Sequence, residues 1–146
     1  MEQNHDIRWI QRYANFHKAC QRLLEVTEGG CTIDDLSELE QEGLVQRFEY
    51  TFELAWKVLQ DLLNYKGYEF MSGPNGTLKM AFEDGLITQH EGWSRMTKSR
   101  NTLSHVYDDE EARAITLLIF NEYAPLLKDL DEKFETLSHD PQYQQE

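Results

Sequence analysis

Apolar residues recur along this chain at spacings of three and four, the mark of helices that bury one face. The first such run spans about Asp6 to Val26, with Trp9, Ile10, Tyr13, Phe16, Cys20, Leu23 and Leu24 on one stripe, and Gly29 and Gly30 end it. Ser37 followed by Glu40 reads as a capping box opening a second, longer helix, about Glu38 to Lys66. Leu44, Phe48, Thr51, Ala55, Val58, Leu59 and Leu62 form its inner stripe, and Gly67 stands where a C′ glycine would. After a loop that ends in Gly73-Pro74-Asn75-Gly76, a short helix is expected over about Thr77 to Asp84, stopped by Gly85. Thr88 is the expected N-cap of the next helix, about Gln89 to Ser104, with Trp93, Met96 and Leu103 as its apolar members. Asp108 or Asp109 caps the last helix, which runs to about Leu137. The remaining tail, Ser138 to Glu146, is polar and expected to fray.

No strand-like alternation interrupts this pattern. It predicts an all-α protein, an up-and-down four-helix bundle with one additional short helix. A chain of 146 residues fits one domain, here 1–146 with a core over about 6–137. No apolar run approaches the roughly 20 residues that span a bilayer, and the N-terminus is polar, so no membrane and a cytoplasmic location are expected. Cys20 and Cys31 have no CxxC partner, and read as reduced thiols.

Charge changes the picture. Asp and Glu number 27 against 14 Lys and Arg, a formal net charge of −13, which opposes nonspecific binding to nucleic acid or anionic membrane. One window departs from this average: no carboxylate occurs between Glu91 and Asp108, while Arg95, Lys98 and Arg100 fall inside it. Any RNA contact is expected there.

Two constellations carry chemistry. In the first, Arg47 to Lys57, Glu49 and Glu53 share a helical face, and Glu53 and Lys57 are spaced as a favourable ion pair. On spacing alone this could be an ordinary solvated ridge. A metal site from the two glutamates would lack the His and further carboxylates that such bundles use, so neither metal nor cofactor is expected. The second is Arg100-Asn101-Thr102-Leu103-Ser104-His105-Val106-Tyr107. Arg100 and His105 lie five positions apart, about 140° around a regular helix, so they share a face only if the helix ends there or a second molecule completes the site. A helix end with a satisfied His is the plainer alternative. The sharper one is metal-free RNA cleavage, which needs a base for the 2′-OH and a cation for the crowded phosphorane. A His and the planar fork of an Arg supply both, and Tyr107 could contact phosphate or accept a modifying group.

Together the two blocks resemble the nucleotidyltransferase substrate-binding protein family, a branch of the HEPN superfamily. QRFEYTFELAWKVLQDLL, Gln46 to Leu63, is similar to the family's signature helix, with Arg47, Glu49, Glu53, Trp56 and Lys57 inside it. SRNTLSHVYD, Ser99 to Asp108, is similar to its second block; AFEDGLI, Ala81 to Ile87, and Trp93 also fit. The resemblance covers roughly residues 5 to 135. It implies a HEPN-like bundle that dimerises through its motif helices, beside a minimal nucleotidyltransferase (MNT) as partner. The Arg-x4-His-x-Tyr motif of HEPN ribonuclease toxins falls on Arg100, His105 and Tyr107, and Asn101 also agrees. In such pairs the partner adenylylates the motif tyrosine, here Tyr107, to silence the toxin. Arg95, Lys98, Asn101 and Ser104 are then the expected supporting contacts to RNA, and two-fold symmetry would bring a second Arg100 and His105 to the same cleft. The family's name implies a second role, a non-catalytic substrate-binding subunit of a two-component nucleotidyltransferase.

Overall fold

The computed structural model describes residues 3–105 and 108–143, with side chains from Arg8 onward. Its longest element, α2 (Glu38–Tyr65), begins at the expected capping box: Glu40 N–H donates to Ser37 Oγ at 3.1 Å, and Ser37 N–H to Glu40 Oε1 at 2.8 Å. Two otherwise orphan donors are satisfied, so the helix start is set locally. Gly67 ends it at a φ of +91°, while Tyr68 N–H reaches back to Leu63 O at 3.2 Å. A side chain at Gly67 would be strained in that left-handed conformation.

α2 is the spine, near 42 Å long at a rise of about 1.5 Å per residue, and it packs against α1 (Gln3–Thr27), the short α3 (Pro74–Asp84), α5 (Asp109–Leu118) and α6 (Ala124–Ser138). The motif helix α4 (His90–Thr102) closes the bundle between α3 and the α5–α6 arm. Trp9, Phe16, Phe48, Phe52, Leu59, Met96, Tyr123 and Phe134 are fully enclosed in one continuous core. The four-helix bundle with an added short helix is the architecture expected. Cys20 and Cys31 are free thiols, and burial pushes the Cys20 thiol up to about 12, with Asp131 adding to the effect.

Local detail departs from expectation at several places. α3 starts three residues early because Pro74, at its first position, needs no hydrogen-bond partner for a missing N–H. Thr88 does not cap α4; Gln89 occupies that position without a side-chain cap, and Trp93 N–H makes the first helical bond to Gln89 O. The expected single last helix is interrupted by a π-turn at Ile119–Tyr123. Pro125 has no N–H to offer the carbonyl four residues back, and the wider turn accommodates its ring. Asp108 does cap α5, accepting from Glu111 N–H at 2.8 Å.

The tail is not frayed throughout. Pro141–Tyr143 forms a 3₁₀ turn, Tyr143 is buried edge-on against Trp9 at 5.9 Å, and Tyr65 Oη donates to Gln142 O at 2.7 Å. An aromatic residue in a polar tail found an aromatic shelf.

α4 approaches α6 closely at Gly92, where a Cβ would lie 2.7 Å from Leu126 Cδ1. Trp93 and Met96, two of the apolar members of the motif helix, face inward with 4% and 0% exposure. The bundle's own core uses them, so they offer nothing to a second copy.

Candidate functional site

The two motif blocks, with Glu53 and Arg100 47 residues apart in sequence, meet through a side-chain contact between α4 and α2. Arg100 Nη2 lies 3.2 Å from Glu53 Oε1 and 4.0 Å from Glu49 Oε2. The other Glu53 oxygen, Oε2, accepts from Trp56 Nε1 at 3.2 Å. Glu53 is therefore bound at both oxygens, and the expected Glu53–Lys57 pair does not form. Lys57 instead sits over the Trp56 ring, its Nζ 5.8 Å from the centroid. The Arg100 and Glu53 side chains keep 32% and 31% of their exposure, so their attraction contributes about 0–1 kcal/mol. Its consequence is geometric: the guanidinium is held but still reachable. Arg47 lies apart from this cluster, donating to Arg22 O at 2.7 Å and tying α2 to α1.

A second set of contacts fixes α4 from behind. Tyr123, brought inward by the π-turn, donates to Arg95 O at 3.1 Å and receives Ser99 Oγ at 2.6 Å. Its ring stacks on Phe48 of α2 at 5.3 Å. Burial raises the Tyr123 phenol above its ordinary value, with Ser99 opposing, so it stays protonated as a donor. Arg95, counted by sequence among RNA contacts, bridges to Glu122 at 2.5 Å and is occupied within its own chain. Sequence pattern missed Ser99 and Tyr123, because a tyrosine on a helical stripe is indistinguishable from ordinary core.

Beyond Thr102, α4 tightens into a 3₁₀ turn, Leu103–His105. At about 100° per α-residue and 120° per 3₁₀-residue, the arc from Arg100 to His105 becomes roughly 180–200°. The helix does end there, yet the two residues finish on opposite flanks: Arg100 toward α2, His105 exposed with Ser104. Tyr107 lies outside the described residues. Lys98 and Asn101 face a separate groove toward α3. Among the described residues no group of three or more His, Cys, Asp or Glu side chains is placed to hold a metal ion. Nor is any helix long and apolar enough to cross a membrane.

These features define an all-α, HEPN-like bundle whose motif helix is braced on both sides. The chain belongs to the family described as nucleotidyltransferase substrate binding protein like, whose model matches residues 11–136. It is 33% identical over 78 residues to a Haemophilus influenzae protein described as probable ribonuclease HepT, covering 50% of this chain and 53% of that protein. The match thus spans about half the length of that relative. A crystal structure of a Thermus thermophilus protein superposes with a TM-score of 0.68 at 30% identity, covering 86% of this chain and 99% of the other.

Proposed function

We propose that this chain is a toxin-like, metal-independent endoribonuclease of the HEPN type, working in the cytoplasm beside an MNT nucleotidyltransferase that silences it by adenylylation. The observation that carries the reading is the Arg100–Glu53 contact, through which the signature helix presents the motif arginine partly exposed. A cation held before the reaction costs no reorganisation when charge develops on the phosphorane. Arg100 is then the phosphate clamp and His105, exposed at the helix end, the acid/base. Tyr107 is the regulatory acceptor. Similarity to a protein described as a probable ribonuclease supports the same reading.

Because Arg100 and His105 lie on opposite flanks of one helix end, the reading requires a homodimer in which each cleft takes residues from both copies. Sedimentation at micromolar concentration is expected to give a dimer; monomer alone would remove the composite site. Purified protein is expected to cleave single-stranded RNA equally with and without EDTA. Loss on chelation, restored by a divalent ion, would shift the chemistry to Glu49 and Glu53.

A second reading has its own support. Glu53 and Glu49 already offset the Arg100 charge, as suits a structural or recognition arginine in a substrate-binding subunit. Intact RNA, together with stimulation of the partner's nucleotidyl transfer, would establish that role instead.

A further inference from the structure

A groove of about 320 Å³ lies between α3 and α4, beside the motif but distinct from the Arg100–Glu53 contact. Asn75 and Lys79, one turn apart on α3, face Lys98 and Asn101, about one turn apart on α4. Leu78, Ile87 and Trp93 form its apolar floor. Phe82 and His90 stack at its rim, ring centroids 4.4 Å apart and planes 29° from parallel.

The groove differs from the others in having no carboxylate in its lining. Acidic residues outnumber basic ones 27 to 14, yet none lines it. Four other grooves among the described residues each include at least one carboxylate: Asp129 alone in one, Glu25 beside Lys18, Arg22 and Arg47 in another, and five acidic residues in each of the remaining two. Neither Lys79 nor Lys98 forms an ion pair with a carboxylate among the described residues, so both charges are open to a ligand. Free cations, side-chain amides and a π-face meet over an apolar floor.

We propose that the α3–α4 groove is a subsite for one nucleotide of single-stranded RNA next to the scissile phosphate, its base stacked on the His90–Phe82 pair and its phosphate held by Lys79 and Lys98. Base stacking on aromatic rings with backbone neutralisation is how single strands are held without a duplex. The amides of Asn75 and Asn101 can both donate and accept, as a base edge requires. Asn101 directly follows Arg100, so a strand leaving the groove passes the motif. This inference rests on the ribonuclease reading for its substrate but not for its geometry.

The test uses the full chain and a labelled RNA of roughly ten nucleotides, 2′-O-methylated throughout so that binding is read without cleavage. Lys79→Glu with Lys98→Glu should raise Kd about tenfold or more and reduce the salt slope by about 0.7, the contribution of the one phosphate the pair holds. Lys18→Glu with Arg22→Glu, the same charge change on α1, which lines no part of the groove, should shift Kd less than about threefold, since distant charges are screened. His90→Ala should weaken binding about fivefold or more and leave the salt slope unchanged. Cytidine monophosphate should compete better than inorganic phosphate and worse than the oligomer.

Equal losses in both double variants, or none, would overturn the subsite. A silent His90→Ala, or phosphate competing as well as the nucleotide, would overturn the stacked base; a mononucleotide outcompeting the oligomer would overturn RNA as the occupant. Should the glutamate pair misfold by circular dichroism, the Lys→Gln pair carries the same expectation. Unmodified RNA separates the two claims. Groove-dependent binding without cleavage leaves the subsite standing and removes the ribonuclease, while cleavage with groove-independent binding does the reverse.

Discussion

Glu53→Gln isolates the role of the signature helix. The substitution keeps side-chain volume and removes one charge. It also leaves a single carbonyl oxygen where two donors now bind, Arg100 Nη2 and Trp56 Nε1, each at 3.2 Å. One donor must lose its partner. Because Arg100 and Glu53 are both about one-third exposed, the stability cost is about 0–1 kcal/mol, a fall in melting temperature of roughly 0–4 °C for a chain of this size. The catalytic cost is larger. A guanidinium displaced by about 1 Å can forfeit up to 10²-fold in rate, and removing a preorganised donor costs about 10²–10³-fold. Glu53→Gln is therefore expected to lower kcat for RNA cleavage about tenfold with little change in KM, while Arg100→Ala lowers it further. In the double variant the Glu53 substitution should add almost nothing, since it acts through the arginine it holds. Full activity in Glu53→Gln, or additive losses in the double variant, would refute the positioning argument.

Expressed alone, the wild type should slow bacterial growth, and His105→Ala or Arg100→Ala should each relieve it, His105→Ala by deleting a proton-transfer group worth about 10²–10⁴-fold. Co-expression with the nucleotidyltransferase should relieve it too, with added mass on Tyr107; a harmless wild type sinks the toxin reading. Tyr123→Phe removes the hydroxyl that binds Arg95 O and Ser99 Oγ, and should cost roughly 1–3 kcal/mol in urea unfolding, since it leaves part-buried partners unmet. No loss would mean that the hydroxyl does not anchor α4. A pH effect should appear at the far end of the bundle, where Tyr13 Oη, and then His139, hold the Glu135 carboxyl below its ordinary value. A depressed carboxylate stabilises the fold above its unfolded pKa, and that contribution is lost as pH falls through the folded one. The urea midpoint of the wild type should thus fall more between about pH 7 and 3 than that of Tyr13→Phe; parallel curves would contradict the linkage.

The features legible in sequence are those made by residues within a turn or two of each other. Ser37 and Glu40 close their box, Asp108 caps α5, and Gly67 turns the chain out of α2, because each hydrogen bond joins near neighbours. The buried stripes of α1 and α2 follow likewise from periodicity, and with them the bundle itself. Sequence also singled out the two blocks that the structure joins, through Arg100 and the signature glutamates Glu49 and Glu53. What spacing could not supply was the choice among partners. Glu53 had a favourable neighbour in Lys57, yet it binds Arg100, 47 residues away, because α4 brings that guanidinium to the oxygen that Trp56 does not use. Trp93 and Met96 suited an interface or a core equally, and the packing of α4 in the bundle puts both in the core. Pro125 signalled a disturbed helix, but only the packed Tyr123 shows that the disturbance grips α4. Periodicity tells a residue which way to face; the side chain it meets there belongs to another helix, and only tertiary packing selects it.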